Sequence, residues 1–336
     1  MTDAHPLPQR APPPHTNTPA DLPVLVFITN GSSTQNKAAR DWYAAVLANE
    51  PHAHVLHAHG PVEMSAAVKQ AAALKAEIIA INGGDGTVDM VFSALLNDKP
   101  FQQPPLIALL PAGKTNMTAA AWCGAPDKHA ALRNLLAARR ARTLSATPHP
   151  ILTLDQGSGA APLRGAFLGA ADVVDGILFC RKHIYPLKLP NTISHSMAVL
   201  VLLWRSLFTR SDAAVIDATW GEDRKHGAEN GKFFFLGVMT LNKLILDLEP
   251  QPASGTGGLF YLSLKSGLGA ILSAIPRLVT KRVRPGTKRN VRRAEKITLA
   301  FDGAYTLDGE LYDAKKATPL VITADETLRF IDLRGV

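Results

Sequence analysis

The chain has 336 residues, which is long enough for two domains of ordinary size. Hydrophobic residues make up 46% of the sequence and charged residues 19%, so most of the chain is expected to fold and not to be intrinsically disordered. Two cysteines, Cys123 and Cys180, are too few for a disulfide framework or a cysteine-rich zinc site. The formal net charge of +8 favours anionic partners, without selecting among nucleotides, phospholipid surfaces and nucleic acid.

The first 22 residues are predicted to form a flexible, extended tail. They are rich in proline and lack the hydrophobic centre of a signal peptide. A ligand for an SH3-like domain is the alternative interpretation of this tail. No segment is expected to span a membrane, because the most apolar stretch, Met197 to Trp204, is much shorter than the ~20 residues that a spanning helix needs.

Apolar runs alternate with amphipathic stretches between residues 23 and 145. Short β-branched runs predict buried strands, and residues repeating at helical spacing predict helices between them. This alternation predicts a three-layer α/β domain built around a parallel sheet. The strands are predicted at 24–29, 54–59, 77–82 and 106–110, and the helices at 36–48, 62–75, 88–96, 115–123 and 127–142.

The pattern changes over residues 146–336. Short β-rich runs separated by turn residues predict a second domain, an antiparallel β-sandwich, with a barrel as the alternative. The last residues are alternatively expected to return to the first domain. Helical patterns are sparse here and lie chiefly at 193–208 and 268–280. The strands are predicted at 151–154, 164–169, 213–220, 232–239, 259–264, 296–301 and 319–323.

The strongest local signal is the sequence INGGDGTVD at residues 81–89, where a predicted strand leads through a glycine-rich loop into a helix. The glycines let the backbone approach a bound group closely, and the helix start offers N–H groups and a positive dipole end, which suits phosphate. Asp85 is unfavourable beside phosphate unless it binds a cation or accepts a proton. The alternative is a tight turn in which Asp85 caps the helix. The loop consists of Gly83, Gly84, Asp85, Gly86 and Thr87.

A second loop, PAGKTNMTA at residues 111–119, also joins a predicted strand to a predicted helix. In a parallel sheet both loops emerge at the carboxyl ends of strands, where ligands bind. Neither loop is a standard phosphate motif: Asp89 replaces the third glycine of the dinucleotide fingerprint, and Ala108 replaces the first glycine of the P-loop pattern. Two such loops side by side predict a nucleotide cleft.

The sequence INGGDGTVD, followed downstream by LLPAGKTNMTA, resembles the diacylglycerol kinase catalytic-domain family, which includes bacterial lipid kinases, sphingosine kinases and ceramide kinases. The resemblance extends from Val24 and the turn at Asn30 to LDGEL at residues 307–311. It implies that ATP binds between an α/β domain and a β-sandwich domain. It also implies that the γ-phosphoryl group passes, with Mg²⁺, to the hydroxyl of a lipid such as diacylglycerol, ceramide or a sphingoid base.

The resemblance assigns individual residues to the site. Glu310 corresponds to the family's proton acceptor and Asp308 stands beside it, although without the family Asp308-Gly309-Glu310 would be an ordinary β-turn. Asp85 is the second candidate for proton acceptor and the candidate metal ligand. The residues expected to bind the nucleotide are Asn30, Ser32, His59, Gly83, Gly84, Asp85, Gly86, Thr87, Gly113, Lys114, Thr115 and Asn116.

The sequence departs from the family pattern at three places. Lys114 replaces a threonine and is suited to bind phosphate as a point charge, whereas Met117 replaces an aspartate and removes a carboxylate. Residues 257–261 replace a magnesium-associated segment, so the metal is expected with ATP but not there. The changes at Lys114 and Met117 keep open the alternative of a catalytically impaired, membrane-associated nucleotide-binding protein. A soluble kinase similar to NAD kinase is a further alternative, because such a kinase shares a loop of the GGDGT type.

Residues 281–293 carry seven basic residues and no acidic one, after an apolar stretch at 268–279. This combination is typical of contact with an anionic bilayer, and a solvated basic loop is the alternative. The apolar run at 197–208 predicts either a core helix or a lipid-entry groove. Nucleic-acid binding is not expected, because no aromatic residue is interleaved for base stacking. The predicted partners are a lipid substrate and an anionic membrane, with a cytoplasmic location at the inner membrane face.

Overall fold

The computed structural model describes residues 22–33, 42–125, 127–172, 174, 178, 214–222, 225–243, 249–252, 254–267, 282–283 and 289–335. The proline-rich tail up to residue 21, the first part of the helix predicted at 36–48, and the apolar segments at 193–208 and 268–280 lie outside the described residues. Among the described residues, no helix is both long and apolar enough to cross a membrane.

Four parallel strands in the order β2-β1-β3-β4 form the first part of a large sheet. Both β1 and β3 are buried along their whole length, as expected for strands inside a parallel sheet that helices cover. The strands are β1 (Leu25–Thr29), β2 (Ala53–His57), β3 (Ile78–Gly83) and β4 (Leu106–Pro111), and the helices are α1 (Ala44–Leu47), α2 (Gly60–Ala73), α3 (Asp85–Asn97), α4 (Met117–Trp122) and α5 (Lys128–Ala141).

The same sheet continues beyond β4 with antiparallel strands. Phe330, in the last strand of the chain, pairs with Ile107 of β4, and the rest of that last strand pairs with two strands of the second half. The resulting sheet has ten strands, so no gap in hydrogen bonding separates the two halves. The added strands are β5 (Ala146–Asp155), β6 (Leu163–Gly165), β8 (Ile216–Glu222), β9 (Lys225–Gly231), β15 (Lys296–Ala300) and β18 (Leu320–Ile331).

A second, six-stranded antiparallel sheet packs against the antiparallel part of the first sheet. Its order is β14-β12-β10-β7-β16-β17. The core between the sheets contains Leu168, Trp220, Tyr261, Ile297 and Tyr305. This arrangement confirms the predicted fold class, an α/β domain followed by an antiparallel sandwich. The strands are β7 (Phe167–Ala170), β10 (Phe233–Met239), β12 (Leu259–Lys265), β14 (Arg289–Ala294), β16 (Gly303–Leu307) and β17 (Glu310–Ala314), and a separate pair is β11 (Glu249–Pro250) with β13 (Arg282–Val283).

The last part of the basic segment at 281–293 forms strand β14, which the sequence did not predict, and residues 281 and 284–288 lie outside the described residues. Contact of this segment with an anionic bilayer stays a prediction. The guanidinium of Arg292 lies 3.8 Å from the ring centroid of Trp220, and that of Arg293 lies 5.1 Å from the ring of Phe260. Long arginine side chains can cover aromatic surface while they keep their charge, so a charged strand fits at this sheet edge.

Strand β18 is much longer than the prediction of 319–323. Its second half alternates between exposed Thr327 and Arg329 and buried Leu328 and Phe330, which is the pattern of a strand with one covered face. The pairing with β5 shifts between Thr323 and Glu326. This irregularity interrupts the alternation in the sequence and hides the continuation of the strand.

A buried ion pair holds α5 against the chain that precedes the first two strands. The Arg139 side chain is fully buried, and its Nη1 lies 3.2 Å from Oε2 of Glu50, which is equally buried. Its Nε donates to the carbonyl of Pro23 (2.8 Å) and its Nη2 to the carbonyl of Pro51 (2.6 Å). Because β1 and β2 start just after these two prolines, Arg139 fixes where both strands begin.

We expect Arg139→Met to lower the free energy of unfolding by about 3 kcal/mol, the lower end of the cost of breaking a buried pair, because Arg140 still reaches Glu50. Arg140→Met is the matched control, since the Arg140 side chain is 61% exposed, and its effect should stay below about 1 kcal/mol. Urea denaturation measures both. Equal stability of the two variants would contradict this role of Arg139.

Candidate functional site

The two glycine-containing loops lie side by side at the carboxyl ends of β3 and β4. These strands pair up to Gly83 and Pro111, so both loops leave the sheet at the same edge. A Cβ atom added to Gly113 would lie 2.5 Å from Cα of Gly84, and one added to Gly84 would lie 3.0 Å from Cα of Gly113. The two main chains therefore touch, and a side chain at either position would force them apart.

The Asp85 side chain links the glycine-rich loop to α4, the helix that follows the second loop. Its Oδ2 accepts a hydrogen bond from the N–H of Met117 and its Oδ1 accepts one from the N–H of Thr118, both at 3.2 Å. The N-cap of α3 is Gly84, so Asp85 caps α4 and not its own helix, which corrects the alternative considered from the sequence. Burial raises the pKa of Asp85, and the bonds from the α4 backbone oppose that rise.

The turn after β1 supports the glycine-rich loop from the side. Asn30 donates from Nδ2 to Oγ1 of Thr87 at 3.0 Å, and both residues are buried. A Cβ on Gly83 would lie 2.5 Å from Cβ of Thr87, so the glycine makes room for the threonine side chain. Ser33 donates from Oγ to the carbonyl of Ala112 at 2.7 Å, which ties the same turn to the second loop.

Asn116 closes the second loop on itself. Its Oδ1 accepts from the N–H of Gly113 (2.7 Å) and its Nδ2 donates to the carbonyl of Gly113 (2.9 Å), while its backbone is left-handed with φ of 52°. In this structure its amide therefore fixes the loop shape. Lys114 and Thr115 form the tip, where Lys114 is exposed and Thr115 is partly buried.

Ser32 and His59 lie at the exposed rim of the site. The Oγ of Ser32 and the Nδ1 of His59 are 3.2 Å apart, and Nε2 and Cε1 of the same ring lie over Gly31. The structure thus brings these two predicted nucleotide-edge residues together. They stand beside Asn30, whose Oδ1 accepts from the backbone N–H of Ser32 at 2.9 Å.

Asp308 and Gly309 form the two-residue turn between β16 and β17. Their φ angles are 46° and 92°, and positive φ at both positions is typical of a tight hairpin turn. The Asp308 carboxylate accepts from the N–H groups of Ala166 (2.6 Å) and Phe167 (3.0 Å), which fixes the turn to its own domain. Burial, together with the nearby charge of Asp85, raises the pKa of Asp308.

Glu310 follows this turn and faces the glycine-rich loop from the other domain. A Cβ on Gly86 would lie 3.5 Å from Oε1 of Glu310, so the Glu310 side chain lies over the first turn of α3. Glu310 is exposed, in contrast to the buried Asp308. Two motifs more than 200 residues apart in the sequence, numbered 83–87 and 307–311, therefore form opposite walls of one cleft.

The sequence reasoning missed Asp89, which the structure places among the site's acidic residues. Asp89 and Asp308 lie close enough for each carboxyl group to influence the pKa of the other. Burial raises the pKa of Asp89 well above its ordinary value, and the charges of Asp308, Asp85 and Glu310 raise it further. The spacing could have revealed this residue, because Asp85 and Asp89 stand four apart and so share a face of α3.

The residues present fit a phosphate group. The start of α3 and the side-chain-free surface at Gly84 and Gly113 offer N–H groups, and Lys114 adds an exposed positive charge. A metal ion has no such preformed site: in the part of the chain that the structure describes, no group of three or more His, Cys, Asp or Glu side chains could hold one. Both oxygens of Asp85 face N–H groups, and its metal role stays a prediction.

Comparisons with known proteins find one family match, which lies in the first half of the chain. Residues 24–147 match the family model described as the diacylglycerol kinase catalytic domain. No curated protein matches the sequence.

Solved structures from Bacillus anthracis str. Sterne share the fold. Two structures of a protein that its descriptions assign only provisionally as a diacylglycerol kinase give TM-scores of 0.63 and 0.62, with 16% identity over 93% of this chain and 98% of theirs. A third, described as a diacylglycerol kinase, gives 0.56 with 16% identity over 93% of this chain and 97% of its own. At this identity the likeness shows a common fold across both domains.

The contact between the loops predicts opposite effects for two glycines of the site. Gly113→Ala should lower the free energy of unfolding by about 1–3 kcal/mol, because its Cβ meets main chain that cannot rotate away. Gly86→Ala should leave the stability unchanged or raise it by up to about 1 kcal/mol, because its nearest contact is at 3.5 Å and alanine favours the helix. Urea denaturation compares them, and a tolerant Gly113→Ala would contradict the close approach.

Proposed function

We propose that this protein is an ATP-dependent lipid kinase, a phosphotransferase with an alcohol as acceptor, because residues 24–147 match the family model described as the diacylglycerol kinase catalytic domain. The observation that carries the proposal is the position of Glu310 against Gly86. A carboxylate from the second domain faces the helix start that follows the glycine-rich loop. We propose a lipid hydroxyl as the acceptor, with diacylglycerol, ceramide and sphingoid bases as candidates.

The first part of the proposed mechanism is phosphate binding by the two loops. The N–H groups at the start of α3 stabilise negative charge, and Gly84 and Gly113 let that charge approach the main chain. Lys114 adds an exposed cation at the loop tip. The two loops would hold the phosphates of ATP, which would supply the γ-phosphoryl group.

The second part is proton acceptance by Glu310. Transfer to an alcohol requires the hydroxyl to lie in line with the phosphoryl group and to lose its proton. An ionised carboxylate is a hydrogen-bond acceptor only, so Glu310 can orient the hydroxyl and then take its proton. Asp308 is less suited to this step, because both of its oxygens accept backbone N–H groups.

A membrane contact and a cytoplasmic location belong to the same proposal. A lipid acceptor resides in a bilayer, and the net charge of +8 favours approach to an anionic surface. The basic segment at 281–293 remains the proposed contact, although Arg292 and Arg293 cover aromatic rings and leave less of its charge for lipid. Mg²⁺ is proposed to enter with the nucleotide, and no step is assigned to it.

A radiolabelled-ATP assay on a panel of lipids tests the proposal. We expect label in at least one lipid extract, and mass spectrometry of that lipid should show the gain of one phosphate. ATP binding without transfer to any lipid would favour the catalytically impaired alternative. Phosphorylation of NAD with no labelled lipid would favour the soluble NAD kinase-like alternative.

Glu310→Gln should lower kcat by about 10²–10⁴ and leave the affinity for ATP nearly unchanged, because glutamine keeps the size of the side chain but accepts no proton. Asp313→Asn is the matched control on the same strand, at an exposed position that faces the other side of the sheet. Its kcat should equal that of the unmodified protein. Loss of ATP binding with an unchanged maximal rate would place Glu310 in the nucleotide site instead.

Asp85→Asn should abolish turnover and weaken binding of a non-hydrolysable ATP analogue about tenfold, while the protein remains folded. The NH₂ group of the asparagine amide is a donor and cannot accept from one of the two α4 N–H groups. One charge-assisted hydrogen bond of about 1.5 kcal/mol is therefore lost, and the second loop is released.

Asp127→Asn is the matched control for Asp85→Asn, because Asp127 accepts two backbone N–H groups at the start of α5, away from the cleft. Asparagine caps helices about as well as aspartate, so affinity for the analogue should not change. Titration calorimetry measures both variants. Normal turnover in Asp85→Asn would remove this residue from the mechanism.

A further inference from the structure

The segment 162–167 lies beside α3 and connects the end of that helix to the hairpin that carries Glu310. It leaves the large sheet as β6 and enters the second sheet as β7, and β6 packs against α3. Between Gly86 and Asn97 the helix rises about 16 Å, and about five residues of extended chain cover the same distance. One short segment can therefore reach both the end of α3 and the cleft at its start.

The Asn97 side chain fixes the end of α3 to the beginning of this segment. Asn97 is the last residue of the helix. Its Nδ2 donates to the carbonyl of Pro162 at 2.9 Å, and its Oδ1 accepts from Nε of Arg164 at 3.0 Å. Both polar atoms of one amide thus bond to the same segment, so the helix end and the segment move together.

Arg164 anchors this contact to the large sheet. Its side chain is 8% exposed, and its Nη1 donates to Oγ1 of Thr153 on β5 and pairs with Glu326 on β18. Nζ of Lys99, just beyond α3, lies 3.5 Å from Oε1 of the same glutamate. Charge-assisted bonds to two strands fix the direction of the guanidinium, so the Nε that bonds to Asn97 has a defined position.

The other end of the segment holds the hairpin turn. The N–H groups of Ala166 and Phe167 donate to the Asp308 carboxylate, and the N–H of Asp308 donates to the carbonyl of Phe167 at 2.8 Å. Gly165 lies so close that a Cβ atom there would overlap Oδ2 of Asp308. A displacement of the segment therefore displaces the turn, and with it Glu310.

We propose that Asn97 is a positioning residue for phosphoryl transfer: by fixing α3 to the segment 162–167, it sets the distance between the glycine-rich loop and Glu310. The helix and the segment then meet at both ends, through Asn97 at one end and through Glu310 over Gly86 at the other. Asn97 is about three helical turns from Gly86, so it acts through geometry and not by contact with the reacting atoms. The catalytic consequence rests on the proposed function, whereas the coupling of Asn97 to the turn does not.

Asn97→Ala tests the proposal in the lipid phosphorylation assay. We expect kcat to fall about tenfold with the KM for ATP within about twofold, because a small displacement of a reacting group is costly while both loops stay intact. Asn134→Ala is the matched control, since Nδ2 of Asn134 on α5 likewise donates to a distant carbonyl, that of Leu333, at 2.8 Å. It should lower the melting temperature by a similar amount and leave kcat unchanged.

Two activity outcomes would overturn the proposal. One is an unimpaired kcat in Asn97→Ala. The other is an equal fall of kcat in Asn134→Ala, because a general loss of stability would then explain both variants. Titration with a non-hydrolysable ATP analogue counts the folded sites in each variant, so that a loss of folded protein is not mistaken for slower transfer.

Hydrogen–deuterium exchange measures the coupling without any activity. Peptides that cover the β16–β17 turn should exchange about tenfold faster in Asn97→Ala and at the unmodified rate in Asn134→Ala, with peptides of the buried strand β3 as the reference for global unfolding. If no lipid is phosphorylated but exchange behaves this way, the proposed function fails and the coupling of Asn97 to the turn stands. Unchanged exchange at the turn in Asn97→Ala overturns the inference.

Discussion

The geometry of the cleft depends on β18, the strand that runs through both halves of the molecule. Its first residues pair with β15 and β5 in the sandwich, and its end pairs with β4 of the parallel sheet. There the ring of Phe330 packs against Phe92 of α3 (5.7 Å between centroids) and Trp122 of α4 (4.6 Å). One buried side chain thus contacts both helices whose starts form the site. The loops are held by the sheet that contains β18, and the hairpin belongs to the second sheet, which packs against the antiparallel part of that sheet.

Hydrogen bonds to two aspartate side chains hold the site together in addition to the packing of apolar residues. Asp85 accepts two N–H groups from α4, and Asp308 accepts two from the chain at Ala166 and Phe167. Each carboxylate joins segments distant in sequence, at the points where the cleft walls must be exact in position. These carboxyl groups lie close together in a buried region, which disfavours their ionised forms. Burial accordingly raises the pKa of Asp85, Asp89 and Asp308.

Local signals predicted the fold class and the two loops, because a strand, a glycine turn and a helix start are each encoded within about ten residues. The contact of Glu310 with Gly86 was beyond such signals, since it depends on pairing between distant strands. Asn116 shows the same limit: its residue type suits a ligand, but its amide bonds to Gly113 three residues earlier. Asp89 was missed because its neighbour, Asp308, lies in the other domain. Strand β14 was missed because aromatic rings elsewhere in the chain cover its arginines.

A crystal structure of the protein with a non-hydrolysable ATP analogue tests most directly whether the two loops and Glu310 form one phosphoryl-transfer site. The account predicts phosphates over the start of α3 and the contact between Gly84 and Gly113, with the terminal phosphate directed toward Glu310. It also predicts that the N–H groups of Met117 and Thr118 remain bonded to Asp85. A nucleotide bound elsewhere, or one whose terminal phosphate points away from Glu310, would contradict the account.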